Sequence, residues 1–410
     1  MESSFFKEAY LKYYLQIVGV LLVMNFAIHL LDPDSYQLSE WGINSSGGFV
    51  RRGISGDILI FLAEHLRVPI NVLAFVFLLP LIFIWWRSYF IFSLSTSRNP
   101  WVWPLIFSPA FMLPYAVSDF AGHKEILIFA LYAFVIFKLD GDDARRFKAI
   151  VIGLYFLPVI ILVHEGLVAW TPYFFATLVS VSISRTRVLL LLPALVAMAL
   201  ALTFALTYRG SEEHALAACE VYKKAFYLFS NSASDCGAID ALSGSARKNM
   251  KLIIFEIGSG GTKILLGSIA YFLPIAIFLL ATSPWRYLPT RRLVFVFACF
   301  GASVAMTAAM MLVAFDWGRF LAIHVTLLAF SLLSLVKNKV LKFDAALAIL
   351  RRLPDRGWLA ITIVVCATWF PTKFVTDYMA KPLLFFLPAV FLLIWLVRDW
   401  INRKSEIIDL

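Results

Sequence analysis

Long runs of apolar residues alternate with short polar breaks along nearly the whole chain. Many runs reach the roughly 17–25 residues that a helix needs to cross the hydrocarbon core of a bilayer. The pattern predicts twelve spans, at 15–31, 68–86, 100–116, 126–138, 149–163, 167–184, 188–207, 264–282, 293–314, 320–336, 358–371 and 382–397. Segment 57–66 is apolar but too short to cross, and is expected at the interface or as an extension of the second span. Apolar–polar alternation of period two is not sustained anywhere, which argues against a β-barrel. The first run lacks a small-residue cleavage site and is followed by Asp32, Pro33 and Asp34, so it reads as a retained span rather than a signal peptide.

Composition agrees. Hydrophobic residues make up 61% of the chain and charged ones 15%, against about 45–50% and about 25% in soluble domains. The fold class expected is all-α: a polytopic transmembrane bundle forming one integral membrane domain over residues 1–410. A net charge of +10 could indicate nucleic-acid binding, but the basic residues sit in short clusters between spans. That is the signature of cytoplasmic loops, and it excludes a nucleic-acid partner from the reading. Arg87 and Arg98, Lys138 to Lys148, Arg185 and Arg187, Arg286 to Arg292 and Lys337 to Arg356 fall on one side, with both termini.

On the other side lie acids, bases and histidines that membrane depth makes costly. Asp32, Asp34, Arg51, Arg52 and Asp57 come first, then Asp119, His123, Lys124 and Glu125, then His164 and Glu165, then Asp316 and Arg319. If they share one face, they describe one polar site built by many helices. The longest outer segment, 208–263, has stretches with helical spacing and is expected to form a small helical cap. Cys219 and Cys236 both lie in it and, in an oxidising compartment, are expected to form a disulfide.

Four constellations carry candidate chemistry. In DPDSYQLSEWGINSSGGFVRRGISGD, glycines flank Arg51 and Arg52. Two arginine forks suit phosphate oxygens, and the glycine frame could expose amides as an anion-binding nest. The competing explanation is snorkelling to lipid head groups. In SDFAGHKE, Asp119 and His123 are four apart and Lys124 adds a cation; a charged helix start explains the acids but not the lysine. His164–Glu165–Gly166 joins two apolar runs, and a His–Glu pair at low dielectric can serve acid–base chemistry. The pair is too sparse for a metal site. In FDWGRFLAIH, Asp316 and Arg319 could pair locally, and Trp317 is an interface anchor that could also stack on a sugar. His29 and His324 read as satisfied helix histidines.

Taken together, GGFVRRGISG, the HKE turn, HEG and DWGR on about a dozen spans resemble bacterial O-antigen and exopolysaccharide polymerases of the Wzy type and the wider GT-C glycosyltransferase superfamily. The resemblance implies a GT-C-like bundle in the bacterial inner membrane, a polyprenyl (di)phosphate-linked sugar donor and a glycan acceptor. It also implies that Arg51, Arg52, Lys124 and Arg319 bind the donor phosphate, and that no metal or other cofactor is required. Asp32 or Asp34 would act as the catalytic acid–base group by analogy, with His164 and Glu165 next. Asp119, His123, Asp316 and Trp317 would line the sugar site. The rival classes are a lipid-linked oligosaccharide flippase or other transporter, and an acyltransferase of envelope glycans. A transporter should show polar groups near mid-membrane or broken helices.

Overall fold

The computed structural model describes residues 2–32, 34–116, 121–208, 210–225, 236–243, 269–286, 289–312, 314, 317–367, 387–388, 390–394 and 397. Among these the regular structure is helical throughout, with no strand. Among the described residues, seven helices are long and apolar enough to cross a membrane. They are α1 (Glu2–Leu31), α4 (Ile70–Thr96), α8 (Asp143–Val163), α10 (Arg185–Thr207), α12 (Ile269–Arg286), α13 (Thr290–Met311) and α14 (Trp317–Lys337).

The other predicted spans divide by their prolines and lengths. Segment 100–116 contains Pro100, Pro104, Pro109 and Pro114 and breaks into a 3-10 turn, α5 (Trp103–Ile106) and α6 (Pro109–Ala116). Segment 167–184 contains Pro172 and breaks into the 3-10 turn Glu165–Trp170, α9 (Thr171–Ala176) and a further 3-10 turn. Pro100, Pro104 and Pro172 each stand in the first turn of a new piece, where the missing N–H has no intrahelical partner to lose. Residues 126–138 form α7 (Glu125–Phe137), 13 residues long and short of a full crossing. It is buried on most sides, packed against α4, α8 and α14. Irregular backbone at membrane depth is stable only when protein covers it, and these segments are largely buried. Residues 355–367 form α16 (Asp355–Ala367), whereas 368–371 and half of 382–397 lie outside the described residues.

Helix α14 is the most buried of the seven and packs on α4, α6 and α7; α13 is the least buried. Around α14, α1 packs on α4 and α8 packs on α10. Residues 53–66 form a separate helix, α3 (Gly53–Leu66), cut from α4 by Arg67 at φ 53° and by Pro69. Before it comes α2 (Tyr36–Trp41). The two ends of the bundle differ in kind. At one end Lys337 pairs with Asp140 at 2.8 Å, Arg187 with Asp143, and Arg98 lies 3.7 Å from Glu8. These are mainly exposed surface pairs, worth little each. The opposite end holds the site.

The cap is helical where described. It consists of α11 (Glu212–Lys224) and a 3-10 turn, Asp240–Ser243, and these are tied by a Cys219–Cys236 disulfide. It seats on the first loop: Asn44 Nδ2 donates to the Ala218 carbonyl at 2.9 Å, and a Cβ on Gly42 would meet the Tyr222 ring at 2.2 Å. On α3, against that loop, Gly56 is held even more tightly, since a Cβ there would lie 2.0 Å from the Ile43 carbonyl oxygen. That oxygen belongs to the backbone and cannot swing aside. Gly56→Ala should therefore lower stability by about 1–3 kcal/mol, the usual cost of overpacking. Thermal unfolding in detergent checks this, and an unchanged midpoint would contradict it.

Candidate functional site

Five chain segments meet at the second end of the bundle: α2, the turn into α3, the turn into α7, the α8–α9 junction and the first turn of α14. Each arrives by local rules. Asp32 and Ser35 turn the chain from α1 into α2: Ser35 N–H donates to the Asp32 carbonyl, and Ser35 Oγ caps α2 by accepting from the Leu38 N–H at 3.0 Å. Asp57 on α3 accepts from Ser45 N–H and Oγ at 2.7 and 2.8 Å, which pins the loop between α2 and α3. Gly122 sits at φ 87°, a conformation glycine adopts without penalty. Its carbonyl accepts from Trp41 Nε1 at 2.6 Å, which fixes the turn carrying His123 and Lys124 against α2.

Glu40 on α2 is the centre of the buried half. Its Oε2 lies 2.8 Å from His123 Nδ1 and its Oε1 lies 3.4 Å from His164 Nε2. His164 Nδ1 accepts from the Gly166 N–H at 3.2 Å, which leaves the ring proton on Nε2, facing Glu40. His123 directs Nδ1 to the carboxylate, and Arg319 Nη1 lies 3.2 Å from His123 Nε2 and 2.9 Å from Nδ1. Arg319 Nε in turn pairs with Glu125 Oε1 at 3.0 Å. Glu40, His123, Glu125 and His164 are all buried. Burial opposes ionisation of Glu40, but the two imidazoles outweigh it and hold the carboxyl well below the usual range.

Arg51, Arg52 and Glu165 form the more exposed half. Arg52 grips Glu165 with both prongs, Nε to Oε2 at 2.8 Å and Nη2 to Oε1 at 2.7 Å, while Arg51 Nη1 lies 3.2 Å from Oε1. Burial raises the Glu165 carboxyl, but Arg52, with smaller help from His164 and Arg51, overrides it and drives it far below its ordinary value. Arg52 holds a left-handed backbone, φ 69°, rare for a residue with a side chain and found often at functional sites. The arginine side chains are 26% exposed and that of Glu165 11%, so this half borders the surface.

Lys124 joins the halves. Its fully buried Nζ donates to the Val163 carbonyl at the end of α8, 3.1 Å, and to the Arg52 carbonyl, 3.4 Å, and lies 5.7 Å from the centre of the Trp41 ring. A cation suits the unpaired carbonyls of a helix C-terminus. Burial lowers the Lys124 ammonium to about 7, partly offset by Glu40 and deepened by Arg52. The unfolded chain keeps this proton up to about 10.5. Between those values the unfolded state binds more protons, so this group makes stability rise with pH from 7 toward 10.5. In Lys124→Met that contribution should disappear. Unfolding midpoints of both proteins from pH 6 to 10 test it, and parallel curves would contradict it.

Of the residues singled out by sequence, Arg51, Arg52, His123, Lys124, His164, Glu165 and Arg319 come together. Asp32 and Asp34 are exposed in the turn between α1 and α2, where Asp32 Oδ1 accepts from the Asp34 N–H at 3.1 Å. Trp317 is buried and donates its indole N–H to the Met311 carbonyl at 2.8 Å, closing the α13–α14 connection. Asp119 and Asp316 lie outside the described residues. The expected glycine nest is corrected. The amides of Gly48, Arg51, Gly53 and Gly56 are already donated to carbonyls of Ser45, Tyr208, Val50 and Ile43. The glycines serve close packing instead. Glu40 had no signal of its own in the sequence, because nothing in YQLSEW marks which side of a six-residue helix is buried. His324 lies elsewhere, between Tyr173 Oη and Thr307 Oγ1, each at 2.8 Å.

The arrangement can bind an oxygen anion at its arginine edge and hold or pass a proton through its carboxylates and imidazoles. The chain matches no protein-family model, no curated protein and no solved structure.

Proposed function

We propose that the protein is a membrane glycosyltransferase of the polysaccharide-polymerase type. It takes a sugar from a polyprenyl (di)phosphate donor at the outer face of the bacterial inner membrane and extends an envelope glycan. The observation that carries this reading is the Arg51–Arg52 pair, two guanidinium groups converging on one carboxylate at the partly exposed edge of a buried acid–base cluster. A carboxylate held by one bidentate arginine and by a second guanidinium marks a place where phosphate oxygens fit. The basic residues clustered at the other end of the bundle support a cytoplasmic position for that end.

In this reading Arg51 and Arg52, with Lys124 and Arg319 behind them, neutralise charge as the donor phosphate leaves. The acceptor hydroxyl loses its proton to the carboxylate–histidine part of the site. Both steps proceed on side chains of this chain alone. Asp32 and Asp34, exposed in the turn between α1 and α2, remain the acid–base candidates by analogy, beside the buried His164 and Glu165.

Transport is the second reading, and a specific observation favours it. Segments 100–116 and 165–180 are broken and largely buried, the kind of backbone that transporters use at their substrate sites. Purified protein reconstituted with a polyprenyl-diphosphate oligosaccharide separates the two. Glycosyl transfer yields longer glycans and free polyprenyl (di)phosphate. Movement of intact donor between leaflets, with no new glycosidic bond, would replace the enzyme reading by transport.

A further inference from the structure

Glu165 occupies the two-arginine clamp in the way a ligand would. Three N–H groups from two residues converge on its two oxygens at 2.7–3.2 Å. The Glu165 side chain is buried but 11% exposed, beside arginines that border the surface, while Glu40 and Glu125, each 3% exposed, lie deeper. It also stands on a 3-10 turn beyond the end of α8, where the His164 backbone is already extended at φ −157°. A 3-10 turn is a weaker hold than an α-helix. His164 and Lys124 approach from the same junction, so a carboxylate leaving the clamp would remain beside a proton-handling group and a cation.

We infer that Glu165 is a displaceable counter-ion: the donor's phosphate takes its place on Arg51 and Arg52, and the released carboxylate then accepts the proton of the attacking hydroxyl. This rests on the glycosyl-transfer reading for its second half only. The step balances within the site. The acceptor oxygen bonds to the anomeric carbon of the donor sugar, and the bond from that carbon to the phosphate oxygen breaks. The electron pair leaves on the polyprenyl (di)phosphate, held by the arginines. The hydroxyl proton goes to Glu165 and afterwards to solvent. While the clamp holds Glu165, the carboxylate is tied by two cations and is a poor base. Binding of the donor thus creates the base, so that an empty site stays inactive.

The test uses inorganic pyrophosphate as a probe of the clamp and a polyprenyl-diphosphate sugar as a probe of turnover, both on full-length protein in nanodiscs. In Glu165→Gln the competing charge is gone. Pyrophosphate affinity should rise at least about tenfold, since a charge-assisted contact no longer has to be exchanged, while kcat falls and KM for the donor does not rise. Arg52→Lys should lose affinity in either background. Infrared difference spectra of the wild type, which do not depend on a variant folding, should show a glutamate carboxylate band shifting as pyrophosphate binds, and that shift should be missing in Glu165→Gln. Unchanged pyrophosphate affinity in Glu165→Gln, or no carboxylate shift in the wild type, would overturn the exchange. Wild-type turnover in Glu165→Gln would overturn the role as base. Should the wild type transfer no sugar yet show both the affinity gain and the band shift, the exchange stands and the enzyme reading falls.

Discussion

Glu40→Gln should destabilise the protein by about 3–5 kcal/mol, the cost of breaking a buried ionic network by removing one member. Glutamine keeps the size of the side chain and removes its charge. Two imidazoles, at 2.8 and 3.4 Å, then lose the group that both address, and Arg319 is left leaning on a histidine with no carboxylate behind it. The effect depends on pH in a fixed direction. The Glu40 carboxyl lies well below 4.5 in the folded protein. Its contribution is therefore complete above about pH 4.5 and is lost as pH falls from there through the folded value. The gap between wild type and variant should be widest at neutral pH and should narrow in acid. Thermal or denaturant unfolding in one detergent across pH 3 to 8 measures it. A gap of equal width at every pH would mean that Glu40 acts through packing and not through charge.

The clustering of charges at one end of the bundle was legible in the sequence, and the reason is physical. Ionisable groups at the ends of apolar runs are costly, and alternation of span direction places every second break on the same side. His123, Lys124, His164, Glu165, Arg51, Arg52 and Arg319 are brought together by that logic. The count of spans was less legible. Hydropathy measures apolar length, and 100–116 and 167–184 have it. Restarts at Pro100, Pro104 and Pro172 interrupt the helix without lowering the mean hydropathy, and burial behind longer helices covers the broken backbone. The reading of the glycine frame failed for a related reason. Glycine gives the same signal whether it clears space for a ligand or for another backbone, and Gly56 against Ile43 is the second case. Glu40 was invisible because its role comes from two histidines more than eighty residues away.

The clamp yields the sharpest distinction between arginine and lysine. Arg52 meets Glu165 through two parallel N–H contacts, whereas Arg51 meets it through a single one at 3.2 Å. Lysine preserves a positive charge but offers a point in place of a planar fork. If these groups hold a departing phosphate, Arg52→Lys should cost about 10²–10³ in rate, or about 2.7–4 kcal/mol of transition-state stabilisation. Arg51→Lys should cost about tenfold, the smaller loss expected of one charge-assisted contact. The left-handed backbone at position 52 is no confounder, because lysine carries the same Cβ and feels the same strain. Arginines that only snorkelled to lipid head groups would tolerate either swap. Arginines that only braced Glu165 would lose folding stability and activity in proportion. The measurements are glycan product formed per unit of folded protein, alongside the unfolding midpoint of each variant. Wild-type rates in Arg52→Lys at matched protein level would remove the clamp, and the preference for glycosyl transfer over transport would fall with it.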